Sequence, residues 1–331
     1  MKRNIYLMNA GKLKRTANTI CFVDAVTGMK KFAPVSMISA IYVFSEVTFN
    51  KRLLEFIAKK EITLHFFNYY GYYVGSFYPR THYNSGFMTL KQCEHYLNYE
   101  KRLTLAKSFV VGSLSNLLKN LNYYVNRGSD VQPMIDVVTP LLTQSSGIST
   151  IEQLMAVEGQ ARAEYYQAFN QILKDPYYKF ERREKRPPTT PLNTLISFGN
   201  SLLYTTVLGE IYKTHLDPRI GYLHATNFRR FTLNLDVAEV FKPTIIDHTI
   251  FTLVNKHILT PSCFLDKKTG FYLNEVGRKK FVEQYEQKLR EPVTFEKNSR
   301  CTYQRRIRLE LYRLEKHLMG EKIYVPFLSR W

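Results

Sequence analysis

The stretch STIEQLMAVEGQARAEYYQAFNQILK, residues 149–174, reads as one amphipathic helix. Ser149 and Glu152 stand three residues apart at its start, the pattern of a capping box. Ile151, Leu154, Met155, Ala161, Tyr165, Phe169 and Ile172 then recur at helical spacing. Glu158 falls on that apolar stripe, whereas Glu152 and Glu164 lie round the helix where water reaches them. A carboxylate facing the interior is costly unless it is paired, protonated or bound to a metal. Gly159 follows it, and glycine within a helix points to close approach of another backbone. A buried ion pair would satisfy Glu158 as well as a functional site would. Its role therefore depends on what the rest of the chain brings opposite it.

Helices surround this stretch. From residue 89 onward the pattern is helical: 89–127, 131–142, a helix opened by Pro191-Leu192-Asn193, one over Leu233–Phe241 ended by Lys242-Pro243, and three more through 302–319. Upstream the character is different. Asn4–Met8, Lys12–Arg15, Thr19–Val23, Lys30–Phe32, Ile38–Phe44 and Ile62–Phe67 are short strand-like runs, β-branched and aromatic where buried. One helix, Asn50–Lys59, interrupts them, and an aromatic hairpin turns round Asn68–Gly71. The fold class is α+β: a β-rich, sandwich-like domain over 1–80, a polar linker over 81–88, and a larger all-α domain over 89–331 that carries the candidate site.

Lysine and arginine number 47 against 28 acidic residues, a net charge of +19, which favours a polyanionic partner, nucleic acid before an anionic membrane. Cys21, Cys93, Cys263 and Cys301 are scattered, with no CxxC pair, which argues against a structural zinc site and suits a reducing cytoplasm. No window approaches 18 consecutive apolar residues, so no membrane span is expected. The loop 177–190 is basic with aromatics at its start and could track a phosphate backbone, although a solvated charge run is its default reading.

Three residues are candidate metal ligands: Glu158, His224 and Glu239, with Asp236 one helical turn before Glu239. Two carboxylates and an imidazole suit Mg²⁺ or Mn²⁺. Such an ion binds a phosphodiester oxygen and orients an attacking oxygen. Taken singly, His224 is more often a hydrogen-bonded core histidine, and Asp236 or Glu239 a cap or surface charge.

Three stretches carry a resemblance: Val157 to Tyr166; Arg186-Pro187-Pro188 with Pro191 to Gly199; and Gly221-Tyr222-Leu223-His224 followed by Leu235 to Pro243. With the hairpin Tyr70–Pro79 and Arg308–Leu314, they resemble, in order and across the chain, the CRISPR-associated integrase of spacer acquisition, the CRISPR-associated protein 1 family. The resemblance implies an N-terminal β-domain that dimerises, a helical catalytic domain, and assembly with CRISPR-associated protein 2. It also implies a Mg²⁺- or Mn²⁺-dependent site that joins the 3′-OH of captured DNA to the CRISPR repeat by transesterification, with DNA endonuclease activity. Glu158, His224 and Glu239 match the family's metal ligands. Asp236 matches a preceding acid, either a supporting residue or an alternative ligand, and Tyr165 and Asn193 match positions that would place substrate. Arg229 and Asn234, and a final Glu where many relatives carry Asp, depart from the pattern. Without the resemblance, a hydrolytic metal-dependent nuclease and a non-enzymatic nucleic-acid scaffold explain the same residues.

Overall fold

The structure is a computed structural model that describes residues 2–79, 83, 85–185, 187–226, 231–294 and 300–329. Parts of the expected linker (81, 82 and 84), Arg186 and Arg229 lie outside the described residues. The chain divides into two compact units, 1–82 and 83–331.

The first unit is strand-rich. Its elements are β1 (Arg3–Leu7), β2 (Gly11–Thr16), β3 (Thr19–Asp24), β4 (Lys30–Pro34), β5 (Ile38–Val43), β6 (Val47–Thr48), α1 (Lys51–Lys59), β7 (Thr63–Phe67) and β8 (Tyr73–Phe77). One sheet runs β1-β5-β7-β8, with β1, β5 and β7 parallel and β8 antiparallel; the other runs β4-β3-β2-β6. Leu13 and Ile20 of one sheet, Ile41 and Leu64 of the other, and Leu53 and Ile57 of α1 share one apolar core. Every residue of β5 is buried, as suits a central strand covered on both faces. The β7–β8 turn forms because Asn68 Oδ1 accepts from the backbone N–H groups of Tyr70 and Tyr72, both at 3.0 Å, while Gly71 takes φ +82°.

The second unit is mainly helical: α2 (Gly86–Leu97), α3 (Tyr99–Val125), α4 (Gln132–Ser145), α5 (Ile151–Gln167), α6 (Phe169–Ile172), α7 (Pro191–Ile211), α8 (Leu233–Lys242), α9 (His248–Asn255), α10 (Glu275–Arg290) and α11 (Tyr303–Leu318). It is not all-α. Hairpin β9 (Phe264–Lys267) with β10 (Gly270–Leu273), and hairpin β11 (Pro292–Thr294) with β12 (Arg300–Thr302), lie between the last helices. Gly270, at φ +124°, makes the first of these turns possible. The expected helix 89–127 is two helices, because Asn98 ends α2 and caps α3 by accepting from Lys101 N at 3.0 Å. The expected helix 149–174 begins one residue later than the Ser149 reading, with Thr150 accepting from Gln153 N at 3.2 Å, and it breaks at Ala168. Pro243 does not end the helical path. Pro243–Asp247 forms a π-type turn that carries α8 into α9, its wider coil accommodating the proline.

α3 packs against α4, α5 and α8, and so forms the wall on which the site is built. Gly199 is a true close approach, since a Cβ there would lie 2.7 Å from Ile246 Cγ2. Gly159 is not; a Cβ would meet nothing within 4 Å. Among the described residues no helix is long and apolar enough to cross a membrane. All four cysteines are free thiols.

Candidate active site

Helix α8 turns Asp236, Glu239 and Lys242 inward at spacings of three, and α5 meets them with Glu158 and Arg162 at a spacing of four. α3 contributes Ser113. Arg162 Nη2 is the hinge of the cluster. It donates to Glu239 Oε2 at 2.8 Å and to Ser113 Oγ at 3.0 Å, and lies 3.4 Å from Glu158 Oε1. Lys242 Nζ closes on the other oxygen of Glu239. All of these side chains are largely buried, Glu158 being the most open at 15% exposed.

Burial raises the cost of ionising both carboxylates, but they respond differently. In Glu239 the ammonium of Lys242 and the guanidinium of Arg162 outweigh burial and hold the carboxyl below its ordinary range. In Glu158 burial, followed by the charge of Glu239, wins over Arg162, Lys242 and His224, and the carboxyl is pushed up. A second cation near Glu158 would reverse that balance.

His224 enters from the segment after Gly221. Its Nδ1 lies 2.7 Å from Asp236 Oδ1. A carboxylate can only accept, so Nδ1–H donates and Nε2 is left as the lone-pair nitrogen. Burial disfavours the imidazolium, but the hydrogen bond and charge of Asp236 outweigh it and raise the pKa of His224. Asp236 itself is fully committed. Oδ2 accepts from Tyr222 N at 2.6 Å and Leu223 N at 3.0 Å, and Oδ1 also accepts from His224 N at 2.9 Å. Gly221 permits this wrap, because a Cβ there would sit 2.9 Å from Asp236 Oδ2. Asp236 is thus the residue that orients His224, a role in which the imidazole's outer nitrogen is presented with fixed direction.

Asp236 and His224 are hydrogen-bonded, His224 and Glu239 feel each other's charge, and both act on Glu158. Tyr165 lies beneath the site, with no exposure; its oxygen accepts from Asn120 Nδ2 at 2.5 Å, and the charge of Asp247 acts on it. Asn193 is placed elsewhere. It opens α7, accepts from Arg183 Nη1 at 3.0 Å and donates to Arg182 O at 2.9 Å, so it anchors the basic loop. That loop carries Lys185 to where it feels Glu239 and Glu158; partial desolvation, then Arg183 and Lys242, lower its pKa.

Sequence reasoning missed Arg162 and Lys242, although i,i+4 and i,i+3 charge spacing from Glu158 and Glu239 signals both. It also missed Ser113, Asn116 and Asn120, a polar stripe at spacings of three and four within apolar α3. Asn116 Nδ2 donates to Val240 O at 2.8 Å and to Phe327 O at 2.9 Å, tying α8 and the C-terminal segment to α3.

Among the described residues no three His, Cys, Asp or Glu side chains are gathered closely enough to hold a metal ion. Arg162 and Lys242 neutralise Glu239 instead. The donor set nevertheless fits a divalent cation in chemistry: two carboxylates, one of them short of counter-charge, and an imidazole whose outer nitrogen is set by Asp236.

The family model described as "CRISPR associated protein Cas1" matches residues 5–287. The "CRISPR-associated endonuclease Cas1 2" of Thermodesulfovibrio yellowstonii is 52% identical over 332 aligned positions, covering 100% of both chains. The solved structure of a CAS1 protein from Thermotoga maritima superposes with a TM-score of 0.88 at 46% identity, covering 98% of this chain and 100% of that one. A casposase bound to an integration product shares the fold, with a TM-score of 0.87 at 18% identity over 98% of this chain and 92% of that one.

Proposed function

The chain belongs to the Cas1 family of CRISPR-associated proteins, and from that membership we propose that it is the metal-dependent DNA integrase of CRISPR adaptation. It joins the 3′-OH ends of captured DNA to the CRISPR repeat by transesterification. The observation that carries this reading is the pair of buried carboxylates, Glu158 and Glu239, facing an imidazole that Asp236 has already oriented. A nucleic-acid scaffold has no need of such a cluster, and isolating these charges from water is costly.

Glu158, His224 Nε2 and Glu239 would hold Mg²⁺ or Mn²⁺, which supplies charge neutralisation at the phosphodiester and lowers the barrier to attack by the 3′-oxygen. Asp236 keeps the imidazole in the tautomer that offers Nε2. Lys185 and Arg183 on the basic loop supply positive charge where the phosphate backbone enters, and the net charge of +19 draws DNA in from solution. Tyr165 and Asn193 serve the substrate at one remove: Tyr165 supports the floor of the site, and Asn193 holds the basic loop. The protein works as a homodimer with CRISPR-associated protein 2, in the cytoplasm where the repeat array lies. The integration product bound by the casposase of the same fold supports end joining as the chemistry.

A second reading has water as the nucleophile, and the endonuclease name of the relative favours it as an accompanying activity. A half-site assay with a supercoiled plasmid bearing a repeat separates the two. The wild type is expected to give joined strands with Mg²⁺ or Mn²⁺. Glu158→Ala and His224→Ala are expected to bind DNA and join nothing. Nicked plasmid without joined product sinks the integrase reading, and joining by both variants sinks the site.

A further inference from the structure

Beneath the carboxylate pair lies a second polar group that the reaction scheme leaves unused. Asp247 ends the π-type turn, eight residues after Glu239, and is 1% exposed. Tyr165 and Asp247 act on each other electrostatically, and Asn120 holds Tyr165 in turn while reaching Pro243 O at 3.4 Å. Three buried atoms here have no hydrogen-bond partner among the described residues: Asp247 Oδ2, Arg162 Nη1 and Asn120 Oδ1. Buried polar atoms are nearly always paired, so an unpaired donor and unpaired acceptors in one polar neighbourhood need an explanation. Arg162 and Asp247 act on each other electrostatically, and after burial Arg162 is the strongest influence on the Asp247 carboxyl.

We propose that Arg162 has two stations, the observed one on Glu239 and Glu158 and a second on Asp247 Oδ2, and that Asp247 is the positioning residue that receives the guanidinium when a divalent cation takes the carboxylates. The inference rests on reading the site as a metal site. In the observed station Arg162 supplies the countercharge that keeps the carboxylates together. A cation competing for Glu158 and Glu239 makes that charge redundant, and a guanidinium left buried without an anion would oppose its binding. Asp247 removes that penalty. Its carboxyl, pushed up to about 7 by burial, is stabilised as an anion by an approaching guanidinium.

The test uses the full-length chain, with Mn²⁺ as the probe and isothermal titration as a readout that needs no turnover. Asp247→Asn is expected to weaken Mn²⁺ binding by about tenfold, the lower end of what supporting residues of metal sites contribute. Asp247→Glu is expected to restore part of the loss. In an Arg162→Met background, Asp247→Asn is expected to change nothing further, because its effect acts through the guanidinium. Equal weakening in both backgrounds marks a merely structural role and overturns the proposal. Loss of Arg162 could unfold the unit, so the side-chain ¹⁵N resonances of Arg162 in the otherwise unaltered chain provide an independent readout. They are expected to shift on saturation with Mg²⁺ in the wild type and to shift differently in Asp247→Asn. Unchanged resonances at saturation overturn the second station alone. A wild type that binds no Mn²⁺ overturns the metal reading and this inference with it.

Discussion

Two corners of the larger unit bury acids, and their partners differ in kind. In α11, Glu310 has no exposure. Its Oε1 accepts from Tyr324 OH at 2.8 Å and from Phe327 N at 2.7 Å, and its Oε2 lies 3.2 Å from Arg306 Nη1. Part of that shell is backbone, fixed by the path of the C-terminal segment, which Asn116 and the stack of Phe327 on Phe241 (5.1 Å, 9°) hold against the fold. In α5 and α8, the ion-pair partners of Glu158 and Glu239 among the described residues are side-chain cations, Arg162 and Lys242, which the proposed metal ion would displace. Burial of charge is common to both corners and marks neither as a site. Side-chain cations in place of a backbone shell, together with the imidazole that Asp236 orients, distinguish the second.

That contrast breaks first at Glu239. Glu239→Ala would remove a ligand of the proposed metal site, so strand joining should fall below about one-hundredth of wild type, beyond the cost of losing a ligand's supporting partner. It also strands Lys242 and takes from Arg162 its 2.8 Å carboxylate partner, so the thermal midpoint should drop by the equivalent of about 3–5 kcal/mol. Glu310→Ala should cost a similar about 3–5 kcal/mol in denaturant unfolding, while strand joining per folded molecule stays at the wild-type level. Equal loss of joining in the two variants would erase the distinction. At intermediate size, Asp236→Asn should weaken Mn²⁺ affinity by about 10–100-fold in titration calorimetry, because the imidazole loses its orienting acceptor.

pH gives a smaller effect with a definite sign. The folded pKa of His224 is raised by Asp236 against the pull of burial. Its stabilising contribution is therefore complete below the unfolded value near 6.5 and is lost as pH rises through the folded value. Metal binding at the proposed site would require the neutral ring and so would run the opposite way, strengthening as pH passes the folded value. In the metal-free protein, His224→Gln should flatten the fall in stability over that window; an unchanged fall would show that another group produces it. Smallest is Gly159→Ala, which should stabilise by about 0.5–1 kcal/mol in thermal unfolding, because the helix is intact there and a Cβ meets nothing.

The strands of the first unit and most helices of the second were legible from periodicity, because each buries one face against a neighbour. The inward Glu158 was legible for the same reason. What periodicity could not supply was partners. Asp236 reads as one more acid beside Glu239 until the turn at Gly221 folds three backbone N–H groups onto it. Asn98 and Ala168 break helices through local capping and turn geometry that an apolar stripe runs straight across. The two C-terminal hairpins are too short for alternation to outweigh the helices around them. Gly159 reads as a packing contact because glycine is unfavourable inside a helix, yet a Cβ there meets nothing; Gly199, with the same residue type, is one.

Mn²⁺ titration of the wild type beside Glu239→Gln and Glu310→Gln tests the exchangeable-cation site most directly. The wild type and Glu310→Gln are predicted to bind Mn²⁺ with the same affinity, and Glu239→Gln to lose that binding. Equal Mn²⁺ binding by the wild type and Glu239→Gln would contradict it.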